Sequence, residues 1–409
     1  MLLLALSLLP ALADEPTLTV ETFNAGLAHG FVDHAKARRP YIIDALSRTD
    51  ADVVCLQEVW ESSDRRAIER ALQDAYPHRL VPPVVVQRAD HAPACKRGEL
   101  FGEGRFVNCM STRCGDLSGD AKTDCIIARC DNELDQLRQE NPDCAQALFA
   151  QVGRSSLSAV LALLSPFRAA KTYAYDGSTG LMLLSRRPLA GSGVLDFTDI
   201  ATLNRRSALW ADVDVDGGPV RVYCAHLTAD LEGIAPYPGS FADWGAENRA
   251  QVDRLLDHAG DHGGPVVLTG DFNCGLPDAT AGLDPEIPDS CQAIVDAGYT
   301  DAASLLSEPV CTWCGENLLN AEEGDTKNAL LDHLFLRGLA PTTQGRRYDQ
   351  AVQVDTGKQT QPLHLSDHFG YGAALALKTL DLHTPAVEVD EVMEPLDPDV
   401  SPDPVPEAP

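Results

Sequence analysis

Six cysteines, Cys95, Cys109, Cys114, Cys125, Cys130 and Cys144, are spaced 14, 5, 11, 5 and 14 residues apart, the same read in either direction. Pairing Cys95 with Cys144, Cys109 with Cys130 and Cys114 with Cys125 gives one constant index sum. That is what an antiparallel hairpin produces when its arms are cross-linked rung by rung, with a tip near Gly119-Asp120. Six cysteines allow 15 connectivities, so the nested one is an expectation. Zinc is the rival, but the segment holds no Cys-x-x-Cys and has only His91 at its edge, which favours disulfides. The chain has 12 cysteines in all, an even number that suits an oxidising compartment better than the cytosol. Cys311-Thr-Trp-Cys314 reads either as a redox pair or, preferred without a thioredoxin-like context, as structural disulfides with partners elsewhere. Cys55, Cys224, Cys274 and Cys291 receive no partners from sequence.

The apolar leader over 1–13 ends in Ala11-Leu12-Ala13 and resembles an export signal, although its only positive charge is the terminal amine. A buried first strand or a mis-set start is the alternative. The leader is too short to span a bilayer, which takes about 20 apolar residues. The expected location is secreted or periplasmic. Net charge is −29 over 409 residues. The proline-rich, acidic segment 384–409 reads as a disordered tail, and the body without it is still acidic. Such a surface argues against broad, non-specific nucleic-acid binding, which needs basic residues to displace counterions, but leaves room for a nuclease with a local basic patch.

Between leader and tail, one catalytic domain over 14–380 with a disulfide-rich insertion at 89–167 is the economical organisation. "TLTVETFNAG", "ADVVCLQEVW", "KTYAY", "GLMLLSRRP", "PVVLTGDFN", "NALLDHLFLRG", "YDQAVQV" and "LHLSDHFGYGAALAL" read as strands, and "SALWADVDVDGGPVRVYCAHL" as a hairpin turning at Asp216-Gly217-Gly218. "RRPYIIDALSRTD", with Ile42, Ile43 and Leu46 inward, "SSDRRAIERALQDA", "SLSAVLALLSPF" and "ENRAQVDRLLDHAG" read as helices. The order predicts a mixed α/β chain with two sheets packed face to face and helices outside.

Several buried-looking strands finish in an acid, amide or histidine: Asn24, Glu58, His226, Asp271 with Asn273, Asp332, and Asp367-His368. Each alone has a dull reading as a turn former, a surface acid or a satisfied core histidine. Together they describe a polar site at one side of a sheet. In an extended backbone Asp271 and Asn273 point the same way, and Gly270 permits a turn or a close approach. Glu58, Asn24 and Asp367 offer hard oxygen ligands of the kind Mg²⁺ takes, and a group without cysteine argues against zinc. His226 and His368 supply proton transfer and phosphate contacts.

"TFNAG", "LQEVW", "GLMLLSRRPL", "CAHL", "TGDFN", "LDHLFL" and "LSDHFG" occur in this order. Together they resemble the endonuclease/exonuclease/phosphatase superfamily, which includes pancreatic-type deoxyribonucleases, inositol-polyphosphate phosphatases and neutral sphingomyelinases. The resemblance spans roughly residues 17–377, interrupted by the insertion. It implies a four-layer α-β-β-α sandwich, the DNase I-like fold, with the site at one end of the two sheets. It implies Glu58 as the principal Mg²⁺ ligand, with Asn24 and Asp367 beside it and Mn²⁺ as the substitute cation. By the same resemblance Asp271 orients or deprotonates the attacking water and Asn273 holds the phosphate. His368 faces the scissile phosphate, supported by Asp332, and His226 is the second catalytic histidine. The chain departs from the family at Asp332-His333, where Asp-Tyr is more usual, and at Leu227-Thr228 after His226.

"LQEVWESSD", "HLTAD", "ENRAQVDRLL" and "SDHFG" are most similar to neutral sphingomyelinases. That implies a choline phospholipid at a membrane surface as substrate; no stable protein partner is inferred. Tyr237, Phe241 and Trp244 lie in a Gly- and Pro-containing loop, where aromatics suit a bilayer interface, although ordinary loop packing is the favoured reading. The alternative function is a secreted Mg²⁺-dependent nuclease using Arg186, Arg187, Arg205 and Arg206. An inositol-phosphate phosphatase, or a non-catalytic binding module on the same fold, follows behind.

Overall fold

A computed structural model describes residues 17–377 except 118–124, 127, 152–155, 233–236, 238 and 307–309. The expected leader at 1–13, tail at 384–409 and hairpin tip at Gly119-Asp120 lie outside the described residues. The first sheet is built from β1 (Thr17–Asn24), β2 (Val53–Gln57), β3 (His78–Leu80), β4 (Met182–Ser185), β11 (Leu339–Arg347) and β12 (Gly370–Leu377). The second comprises β5 (Leu189–Asp196), β6 (Ser207–Val213), β7 (Val220–His226), β8 (Val266–Asp271), β9 (Thr300–Asp301) and β10 (Asp332–Arg337). Their orders are β11-β12-β1-β2-β4-β3 and β5-β6-β7-β8-β10-β9. Each sheet contains one parallel pair, β1–β2 and β7–β8, and its other neighbours are antiparallel.

A parallel pair needs a crossover, usually a helix. α1 (Ala35–Arg48) makes the first and α3 (Trp244–Gly260) the second; α2 (Ser62–Leu72) and α4 (Pro288–Asp296) lie beside them. Strand alternation then builds three apolar layers. Val53 and Cys55 of β2 face Val222, Cys224 and Val267 between the sheets. Val54 and Leu56 face the other way, onto Ile42, Leu46 and Ile68 of α1 and α2. On the second sheet Val266 and Leu268 pack under Val252 and Leu255 of α3 and Ile294 of α4. The result is the expected four-layer α-β-β-α sandwich. Ile43, expected inward, is only partly buried at the margin of its cluster.

Cys55 and Cys224 are joined, so a covalent bond runs from β2 of one sheet to β7 of the other. Cys274 is joined to Cys291, tying the turn after β8 to α4. Cys311 and Cys314 bond to each other, which corrects the expectation of partners elsewhere. In the insertion, Cys95–Cys144, Cys109–Cys130 and Cys114–Cys125 form the nested set. The arms they join are helical, including Phe106–Arg113, Asp131–Glu140 and Pro142–Phe149. Asn141 starts the last of these, accepting the Cys144 N–H at 3.1 Å, with Pro142 in the first turn. The insertion leaves and rejoins the body at adjacent residues: Arg88 bridges Lys171, and Ala89 N–H donates to Ala170 O at 2.8 Å. Among the described residues no helix is long and apolar enough to cross a membrane.

Some strand expectations fail locally. "KTYAY" forms one isolated bridge and then a 3₁₀ turn, Ala174–Gly177, with Tyr175 and Asp176 at φ 48° and 64°. "YDQAVQV" joins a small side ladder only from Val352. β5 carries only a weak strand signal in sequence, because Gly191 and Gly193 dilute its apolar pattern. A Cβ at Gly193 would lie 2.7 Å from the Trp210 ring, so the bare backbone there makes room for that indole.

Replacing both Cys55 and Cys224 by alanine should lower unfolding free energy by about 2–4 kcal/mol, the usual worth of a native disulfide. Urea unfolding followed by near- and far-UV circular dichroism measures this.

Candidate active site

The two parallel pairs bring their C-terminal ends together. Asn24 lies in register with Gln57, the residue before Glu58, and His226 lies in register with Asp271. β10 runs antiparallel to β8, so its first residue, Asp332, also sits opposite Asp271. His368 arrives just before β12. Gly270 is what lets β8 lie so close to β7. Its φ is +142°, and a Cβ there would fall 2.0 Å from Ala225 O.

Asp271 is the point of convergence. Asn24 Nδ2 donates to Asp271 Oδ2 at 2.9 Å, a hydrogen bond that crosses from one sheet to the other. His226 Nε2 lies 3.5 Å and His368 Nε2 3.9 Å from the same oxygen. Behind His368, its Nδ1 is 2.8 Å from Asp332 Oδ2. Asn273 does not continue an extended strand, as expected, but turns back at φ 48°. Its N–H donates to Asp271 Oδ1 at 2.9 Å and its Nδ2 to Leu227 O at 3.0 Å. The aspartate thus closes a local turn on its own backbone.

Glu58 also has left-handed backbone, φ 57°, an uncommon conformation for a non-glycine residue. The turn lifts its carboxylate off β2 into the cleft, where Oε1 lies 4.0 Å from His226 Nε2. Asp367 flanks it from the other side. Its Oδ1 accepts the Ser366 hydroxyl at 2.8 Å and stands against Gly26, next to the Asn24 turn. Arg38, wholly buried, fastens the two loops together by donating to Ala25 O, Gly26 O and Leu365 O.

Proton affinities diverge sharply within this cluster. Burial and then the Asp367 charge push Glu58 up to about 7; its side chain keeps 20% exposure, so water at the cleft mouth tempers that push. Burial and the Asp332 charge raise Asp271 to about 6, against the opposing pull of His368. Burial disfavours charge on His368, but Asp332, by its charge and hydrogen bond, and then Asp271 and Asp367 lift it to about 10. Burial, Arg206 and His368 hold His226 well below the ordinary imidazole range. One imidazole is therefore cationic and the other neutral at pH 7.

The oxygen-only set of Glu58, Asn24 and Asp367 fits a hard divalent cation. Glu58 accepts no hydrogen bond among the described residues, and its crowding by Asp367 is the repulsion a cation relieves. A tighter cluster, Asp271, Asp332 and His368, also has ligand-type atoms within 4.8 Å of one another, but its imidazole is already engaged with Asp332.

Trp60 and Tyr175 join the site without a signal in the motifs above, and Arg206, expected only as a groove base of the alternative nuclease, lies beside His226. Trp60 stacks on Tyr175 at 5.1 Å and meets His226 at 5.7 Å; the Arg206 guanidinium lies 5.7 Å from the Trp60 ring. Arg206 is buried, and its Nη1 has no hydrogen-bond partner among the described residues. The hairpin carried a usable signal. Equal steps outward from Asp216-Gly217 put Ser207 opposite His226, hence Arg206 at the site edge. His333, by contrast, points away from the site and joins Asp301 Oδ2 at 2.8 Å to Cys274 O at 2.9 Å. The aromatic loop packs inward, as ordinary loop packing predicts. Tyr237 meets Trp244 edge-on at 4.9 Å and donates its hydroxyl to Glu247, and Trp244 is buried.

The Endonuclease/Exonuclease/phosphatase family profile matches residues 22–368. No curated protein matches the chain. Among solved structures, SmcL aligns with TM-score 0.51 at 12% identity, covering 88% of this chain and 99% of its own. Sphingomyelinase C from Streptomyces griseocarneus aligns with TM-score 0.49 at 16% identity, covering 88% and 99%. D. rerio TDP2 complexed with a single-strand DNA product aligns with TM-score 0.47 at 14% identity, covering 88% and 98%. At its identity the likeness to SmcL is one of fold alone.

In metal-free protein, His368 should remain an imidazolium through neutral pH and titrate near about 10. Asp332→Asn removes the nearest negative charge and should lower that midpoint by more than one unit. Imidazole carbon-bound proton shifts followed against pH by NMR check both.

Proposed function

The chain belongs to the endonuclease/exonuclease/phosphatase family, and on that footing we propose a secreted or periplasmic Mg²⁺-dependent phosphodiesterase of the neutral sphingomyelinase, phospholipase C, type, carried by one domain over 14–380. The observation that carries the hydrolytic reading is the convergence of Asn24, His226 and His368 on Asp271, with Asp332 behind His368. Glu58, Asn24 and Asp367 would hold Mg²⁺, or Mn²⁺ in its place. When bound, the cation neutralises charge developing on the phosphoryl oxygens. Asp271, its proton affinity raised towards neutrality, orients the attacking water and accepts its proton. Asn273 spends one amide hydrogen on Leu227 O and keeps the other for a phosphoryl oxygen. The cationic His368, steadied by Asp332, and the unpaired Arg206 edge face the phosphate anion. Neutral His226 donates an N–H hydrogen bond to the leaving oxygen, which takes its proton from solvent water as it departs. Six disulfides support an oxidising location.

A choline phospholipid is favoured over nucleic acid by where the arginines are spent. Arg186 donates to Thr49 O and Ala51 O, Arg187 pairs with Asp52 at 2.9 Å, and Arg205 pairs with Asp196 at 2.8 Å. Only Arg206 of the four is left for the site, too few for a phosphate-tracking groove. The insertion offers an apolar face instead. Leu157 and Leu161, one turn apart on helix Ser156–Leu164, are 72% and 63% exposed, and Phe167 is 93% exposed. The same insertion touches the body through Gln146 Nε2 to Thr202 O and Arg138 to Tyr237 O. An apolar surface of this kind, with the exposed Arg168 beside Phe167, suits a zwitterionic bilayer.

Mature protein with Mg²⁺ should release phosphocholine from sphingomyelin vesicles without nicking plasmid, and Glu58→Ala should abolish release. Nicking alone would instead support the nuclease. kcat/KM should fall as pH drops through about 6, where Asp271 takes up a proton and ceases to serve as base. Changing Leu157, Leu161 and Phe167 together to serine should cut vesicle turnover about tenfold, a loss of about 1.4 kcal/mol in surface binding. Turnover of soluble bis(p-nitrophenyl) phosphate should stay the same.

A further inference from the structure

The segment Cys311–Asn320 is not among the residues that touch a phosphate in the reading above, yet it holds both members of the Asp332–His368 pair. Thr312 stands between the two stretches of backbone that carry them. Its hydroxyl accepts the N–H groups of Leu331 and Asp332, each at 3.0 Å, and its carbonyl accepts the Phe369 N–H at 2.8 Å. Trp313 lies edge-on to the His368 ring at 5.0 Å, and its own indole N–H is anchored on Asp325 Oδ2 at 2.9 Å. Further along, Asn317 Nδ2 donates to Ser366 O at 2.8 Å, and Asn320 Nδ2 donates to both Asp367 O, at 3.0 Å, and Cys314 O, at 3.1 Å. The Cys311–Cys314 bond closes the short loop from which Thr312 and Trp313 project.

We propose that this disulfide-closed loop is a positioning clamp for the Asp332–His368 pair, with Thr312 as the residue that sets the two partners against each other. The inference rests on reading Asp332 and His368 as part of the hydrolytic site. A two-residue span between bonded cysteines leaves little backbone freedom at the Thr312 carbonyl, and the two N–H groups it accepts hold the Thr312 hydroxyl in place. A carboxylate and an imidazole on separate elements would otherwise depend on sheet packing alone for their alignment. Misplacing a reacting group by about 1 Å costs about 100-fold in rate.

The test compares Thr312→Val, which keeps shape and loses the hydroxyl, with Thr312→Ser, which restores it. Two readouts are taken on the full chain. One is the low-field proton resonance of His368 Nδ1–H, hydrogen-bonded to Asp332, in metal-free protein; it needs no substrate. The other is kcat and KM for bis(p-nitrophenyl) phosphate with Mg²⁺. Thr312→Val should lose or shift the resonance and lose about 30- to 100-fold in kcat with KM within about twofold. Thr312→Ser should keep the resonance and stay within about threefold of the parent. A folded Thr312→Val with resonance and kcat unchanged overturns the clamp, as does a serine variant that falls equally far. If the valine variant does not fold, a Cys311→Ala/Cys314→Ala double variant carries the test. Unchanged resonance and kcat there overturn the proposal; their loss supports it. A shifted resonance in a chain that hydrolyses no phosphodiester would leave the clamp standing and sink the functional reading.

Discussion

Everything at the site depends on the two sheets keeping one relative position. Glu58 and Asn24 come from the first sheet, and His226, Asp271 and Asp332 from the second. A slide of either sheet would separate Glu58 and Asn24 from Asp271. Apolar packing between sheets is strong but non-directional. Two interactions add direction. The Cys55–Cys224 bond joins the sheets three residues before Glu58 and two before His226. The Asn24–Asp271 hydrogen bond spans the same gap at the site itself. The covalent tie sits behind the chemistry and the hydrogen bond within it, so the register of one supports the other.

Burying so many acids together is costly, and the cluster shows how the cost is divided. Asp332 and His368 form a close buried ion pair, whose charge would be expensive to strand if either partner were removed. Asp271 leans on Asn24 and the Asn273 N–H, both of which stabilise its anion. Glu58 has neither kind of support and sits on left-handed backbone besides. Such a residue persists only where the surrounding fold over-determines it. It is the carboxylate with most to gain from a cation, which agrees with its place at the open mouth of the cleft.

Much of this was legible in the sequence because strand periodicity and strand termination are local signals. β2 and β8 are apolar on both faces and stop abruptly at Glu58 and Asp271, and the nested cysteine spacing named three pairs that the structure contains. What escaped depends on contacts distant in sequence or on backbone that side chains do not announce. Cys55 and Cys224 are 169 residues apart and meet only once two sheets stack. Asn273 turns left-handed because Asp271 captures its N–H, which alternation cannot foresee. β5 hides behind glycines that serve Trp210. The arms of the insertion carry cross-links compatible with strands or helices, and the spacing of Leu134 and Leu137 was too short a pattern to decide. Arg206 is legible as a base in sequence, but its place beside His226 follows only from hairpin register.

The joined feet of the insertion, at Arg88–Ala89 and Ala170–Lys171, also bear on how such a chain can change by descent. Once two ends of a segment are fixed side by side, the entropy of closing it grows only as the logarithm of its length, about 0.6 kcal/mol per doubling. Residues can then be gained, lost or exchanged between the feet with little consequence for the sandwich. Three disulfides internal to the segment let it keep its own shape while that happens. The surface it presents and the polar cluster at the strand ends are therefore free to evolve at different rates: one can change while the other stays fixed.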